Sequence, residues 1–111
     1  MWKPDLSKIV TAEQKAVEGR ATLLSAYKAA FDAHLDAVAQ ERQYDSRLTI
    51  VSYKGSTNQQ WNAEAEAYIP WRDAALAYMF AQLAAVEAGE IQPPSIEDFI
   101  AGIAPIEWPD A

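Results

Sequence analysis

The chain has 111 residues, half of them apolar, no cysteine, and a formal net charge of −7. That length suits a single domain that buries roughly two-thirds of its unfolded surface. The lack of cysteine excludes disulfides, thiolate metal sites and cysteine nucleophiles.

The charge is unevenly placed. Residues 1–54 hold eight Lys or Arg against seven Asp or Glu (+1), and residues 55–111 hold Arg72 alone against nine acids (−8), which together give −7. An acidic half repels phosphate backbones and argues against nucleic acid as a partner. It suits either a basic protein surface or simple solubility. No run of about 18 apolar residues exists, so no membrane span is expected. The first residues lack the apolar run of a signal peptide, which places the protein in the cytoplasm where it is made.

In chain order, residues 1–10 read as an extended arm ending at Ile9 and Val10. Thr11 and Gln14 then form a capping box. From there to about Arg42 the pattern is helical, with Val17, Leu24, Phe31 and Val38 recurring every seven residues beside Leu23, Tyr27 and Leu35. Tyr44-Asp45-Ser46 interrupts it. Asp45 or Ser46 is placed to cap a short helical turn through Leu48, Ile50 and Val51, although Thr49-Ile50-Val51 also has strand propensity. Gly55 to Asn58 is a loop, and Thr57 or Asn58 caps a second long helix from about Gln59 to Ala88.

Trp61, Ala65, Tyr68, Trp71 or Arg72, Ala75, Tyr78 or Met79, and Val86 carry the apolar stripe of that helix. Pro70 lies inside it, where proline removes a hydrogen bond and clashes with the preceding turn, so a kink or break near Tyr68 is expected. Gly89 is the stop, Pro93-Pro94 a stiff spacer, and Ser95 with Asp98 a capping box for a short helix from Ile96 to Ala101. Residues 105–111 read as an extended tail, since proline restricts the residue before it.

Two helices of about 30 residues would each reach roughly 45 Å, too long for a compact globule of this mass, about 35 Å across. The expected fold is all-α: an elongated helical hairpin of two long helices, the second kinked at Pro70, plus a short C-terminal helix. The helical domain spans residues 11–104.

The chemical inventory is sparse. His34 is the sole histidine and adjoins the apolar stripe, which suits a partly buried structural or interface role. No nucleophile elbow, glycine-rich phosphate loop or calcium-loop spacing accompanies it. Glu64 and Glu66 lie two apart and face different directions on a helix. The expectation is therefore no enzyme activity, no cofactor and no metal. Trp61, Tyr68, Trp71 and Tyr78 line one side of the second helix and read first as core against Leu24, Tyr27 and Phe31. Trp and Tyr are also enriched at interface hot spots. Trp2 and Trp108 lie outside strong helical patterns and are the preferred partner contacts, and Arg72 is expected to pair with a nearby acid such as Asp73. The candidate partner-binding set is Trp2, Trp61, Trp71, Arg72 and Trp108.

Taken as an ordered set, Tyr44-Asp45-Ser46, Val51-Ser52-Tyr53, Ser56-Thr57-Asn58, Trp61, Glu64-Ala65 and Trp71-Arg72-Asp73-Ala74 resemble a known group. So do Val86 to Gly89, Pro94 to Glu97 and Glu107-Trp108-Pro109. The group comprises small proteins or C-terminal domains encoded near the end of tail-gene clusters in tailed bacteriophages, and the likeness covers roughly residues 40–109. It implies a location and a partner class: a tail accessory protein binding the tail fibre or tail tip, either as an assembly chaperone in the host cytoplasm or retained in the virion tail. It implies no catalytic residues. Two alternatives stand beside it. One is a homo-oligomer with a coiled-coil seam of Val17, Leu24, Tyr27, Phe31 and Val38, weakened by Gly19. The other is an acidic host-directed inhibitor that imitates nucleic acid.

Overall fold

A computed structural model describes residues 12–109, with the side chains from Ala21 onward. Four helices follow in order: α1 (Ala12–Gln40), α2 (Arg47–Val51), α3 (Gln59–Glu87) and α4 (Ile96–Ala101). There is no strand among the described residues, so the fold is all-α. The expected N-terminal arm, the Thr11–Gln14 capping box and Trp2 lie outside the described residues or side chains.

The helix boundaries follow from local chemistry. Past Gln40 the chain tightens into a turn. Gln43 takes φ 70° and the Tyr44 amide donates to the Ala39 carbonyl at 3.2 Å, which satisfies an orphan acceptor at the helix end. Ser46 is the N-cap of α2, with its hydroxyl accepting from the Leu48 and Thr49 amides. Asn58 caps α3 by accepting from Trp61 N, and Ser95 caps α4 by accepting from Asp98 N at 3.0 Å. Gly89 sits at φ 73°, the left-handed conformation that ends a helix with little steric cost.

Pro70 does not break α3, which continues through it as one 29-residue element. Of the kink or break expected near Tyr68, the break is absent. Packing explains why: on either side of Pro70, Tyr68 is fully buried and Trp71 packs into both core clusters, which holds the helix in place across the missing hydrogen bond.

The core divides into two clusters. Tyr27, Phe31 and Leu35 of α1 meet Ala75 and Met79 of α3, together with Phe99 of α4 and Ile103 beyond it. Val38 and Ala39 meet Tyr68 of α3, together with Tyr44 and Ile50. Contacts therefore run in opposite order along the two long helices. Direct α1–α3 packing is nevertheless limited, because α1 leans mainly on α4 and α2, and α3 mainly on α2. Phe99 is the wedge between them, 4.9 Å from the Tyr27 ring and 5.7 Å from the Tyr78 ring. The Tyr27 hydroxyl donates to the Pro94 carbonyl and that of Tyr78 to the Phe99 carbonyl, so both long helices bond to the segment lying between them.

The molecule measures 75 × 29 × 19 Å with a radius of gyration of 19.7 Å. A compact chain of this length would have a radius near 13 Å. Elongation is the direct consequence of helices longer than the core they share. Tyr27, Phe31 and Val38 are buried within the chain itself, at 5 % exposure or less, so the proposed coiled-coil seam has no free face at these positions.

Candidate partner-binding surface

The first turn of α3 sets the position of Trp61. Its amide is held by Asn58 Oδ1 at 3.1 Å, and its ring meets the Tyr53 ring edge-on at 5.5 Å. Tyr53 in turn lies 5.3 Å from Tyr44. The Tyr44 hydroxyl donates to Glu64 Oε1 at 2.8 Å, and Gln60 Nε2 donates to Glu64 Oε2 at 3.1 Å. Arg42 lies 3.4 Å from the same Oε2. Glu64 is the one buried charged side chain among the described residues, and these three donors offset its desolvation. Burial, then the hydrogen bond to Glu64, push the Tyr44 hydroxyl far above the usual tyrosine range. The group is a satisfied structural network beneath Trp61, which remains 47 % exposed.

About two turns beyond Trp61, Tyr68 gathers two of the candidates. Its hydroxyl donates to the Leu35 carbonyl at 2.8 Å, and burial raises its pKa to about 12. Trp71 packs against it at 5.4 Å and Trp108 stacks on it at 6.4 Å with 21° between planes. The Trp71 indole N–H donates to the Ala104 carbonyl at 2.7 Å. The Trp108 indole N–H donates to Glu41 Oε1 at 3.2 Å, and the Arg42 guanidinium lies 5.2 Å above its ring. Trp71 and Trp108 are thus brought together and half-buried in intramolecular contacts.

Arg72 lies apart from this group and forms a two-donor pair with the adjacent Asp73, at 2.8 Å and 3.1 Å. Trp2 lies outside the described residues. His34 is half-buried with its ring 6.0 Å from Trp71. Its pKa is lowered, chiefly by burial and against the opposing charge of Glu41.

Other exposed apolar side chains were not singled out from the sequence. Leu48 is 71 %, Phe80 62 % and Ile91 39 % exposed. Phe80 had a readable signal: it falls on the outward face of α3 with the exposed Ala77, Ala81 and Ala84, opposite the buried Ala75 and Met79. A shallow apolar cleft of about 150 Å³ lies between Trp71, Ala74 and Tyr78 and the chain at Gly102–Ala104. Among the described residues, no group of three or more His, Cys, Asp or Glu side chains is arranged to hold a metal ion. No described helix is long and apolar enough to cross a membrane.

Comparison with protein families, with curated proteins and with solved structures finds no match for this chain.

Proposed function

We propose that this chain is a non-enzymatic accessory protein of a bacteriophage tail that binds the tail fibre or tail tip, as an assembly chaperone or as a virion component. Support comes from the resemblance over residues 40–109 and from the shape of the molecule. The observation that carries the reading is a 75 Å helical frame with large apolar side chains left in solvent, Trp61 and Leu48 at 47 % and 71 % exposure and Phe80 at 62 %. Such residues are the usual anchors of a protein interface.

In this reading the frame is an elongated helical hairpin, with α4 wedged between its arms. Trp61 is the contact residue retained from the described part of the sequence set, and Trp2 keeps its place in the set. Trp71 and Trp108 support the frame rather than face the partner, and Arg72 is occupied by Asp73. The acidic second half favours a basic patch on the partner surface.

The test is co-expression with the tail fibre encoded beside it, followed by size-exclusion chromatography with light scattering. A stable joint peak is expected, and its mass gives the stoichiometry. Two separate peaks would remove the fibre from the proposal, and the mass of this chain alone would then report whether it self-associates.

A further inference from the structure

We propose that residues 104–109 are a releasable clamp that fixes the two long helices relative to each other. The clamp touches both. Ala104 accepts from Trp71 on α3, and Trp108 stacks on Tyr68 of α3 while bonding to Glu41 and lying under Arg42 just past the end of α1. Ile106 packs with Trp108 on the cluster of Val38, Ala39 and Tyr68. These contacts add to the coupling that α2, packed on both long helices, and the shared core clusters already provide.

The segment before the clamp is anchored differently. Phe99 and Ile103 are buried at 1 % and 8 % exposure. Gly102 lies so close to Tyr78 that a Cβ there would overlap the tyrosine hydroxyl. Beyond Ile103, whose amide bonds to the Ile100 carbonyl, residues 104–109 make no backbone–backbone hydrogen bond to another described residue. Side chains and a single carbonyl hold them, and Ile106 and Trp108 are only half-buried. A segment with few buried contacts and no backbone ladder opens at lower free energy than the elements it covers. Release after Ile103 therefore leaves the Phe99 wedge and the α2 contacts in place, loosens α1 against α3 around Tyr68, and uncovers Tyr68 and Trp71. The clamp is independent of which partner the protein binds, so its failure would leave the tail reading standing.

The cysteine-free chain allows a direct test. Spin labels on Ala29→Cys and Ala84→Cys, both exposed positions on α1 and α3, report the interhelical distance in the full chain by pulsed electron resonance. The parent is expected to give one narrow distribution. Trp108→Ala should give a longer, broader one at unchanged helix content by circular dichroism. Trp108→Phe, which keeps the stack on Tyr68, should restore most of the narrow distribution. An unchanged distribution in Trp108→Ala would overturn the clamp. So would a loss of helix content in that variant, since the segment would then be part of the cooperative core rather than releasable.

Discussion

Phe99 joins both long helices to α4, adding to the direct contacts between Tyr27, Phe31 and Leu35 of α1 and Ala75 and Met79 of α3. Its ring lies between Tyr27 and Tyr78 at 1 % exposure. Truncation leaves a cavity that two long helices cannot easily close. Phe99→Ala should cost about 3–5 kcal/mol in urea-induced unfolding. A loss near 1 kcal/mol would mean that α1 and α3 collapse onto each other without the wedge. Acid sensitivity also belongs to individual residues. Burial lowers the pKa of His34, so the unfolded chain takes up that proton first and stability falls as pH drops below about 6.5. Asp36 behaves in the same direction at lower pH. Its carboxylate accepts from the Arg47 amide at 2.9 Å and pairs with the Arg47 guanidinium at 2.8 Å, which lowers its pKa. Its contribution is present above the ordinary aspartate value of about 3.9 and is lost as pH falls through the folded value. Melting temperatures between pH 7 and 5 should decline less in His34→Asn than in the parent, and the decline below pH 4 should be shallower in Asp36→Asn.

At the scale of elements, Pro70 poses the clearest question. It removes one hydrogen bond from α3 and is itself exposed, yet the helix runs through it. A proline in an exposed helix interior costs about 3 kcal/mol relative to alanine. Pro70→Ala should therefore raise the melting temperature, with about 1–3 kcal/mol recovered on denaturation. A decrease would mean that the distortion is needed to seat Tyr68 and Trp71 on their two clusters. This element also shows what was legible in the sequence. Periodicity and caps placed α3 and α4 to within about a residue, because Asn58, Ser95 and Gly89 act locally. Of the kink or break expected near Tyr68, the break did not occur, because tertiary packing outweighs a local penalty. The wedge role of Phe99 was not legible, since it depends on how a six-residue helix docks between elements far away in the chain. The same holds for Trp71 and Trp108: their residue type suggested a partner, and only the fold could place Ala104, Glu41 and Arg42 against them.

On the scale of the whole molecule, elongation separates the residues that hold the frame from those free to touch something else. The interior aromatic groups Tyr27, Tyr68 and Phe99 lie at 1 % exposure or less, while Trp61 and Phe80 keep about half or more of their surface in solvent. Substitution at exposed sites of this kind usually changes stability by no more than about 0.5 kcal/mol. The double variant Trp61→Ser, Phe80→Ser should therefore keep the helix content and denaturation midpoint of the parent. If these side chains anchor the fibre or tail-tip partner, the same variant should lose the joint chromatographic peak. Charge supplies an independent reading of the same complex. A partner drawn by the acidic second half should associate more slowly as salt rises, whereas loss of the apolar anchors should mainly speed dissociation. Measuring both rates for parent and double variant at two salt concentrations separates the two contributions. A variant with parental dissociation at both salts would move the interface away from Trp61 and Phe80 and onto the acidic surface.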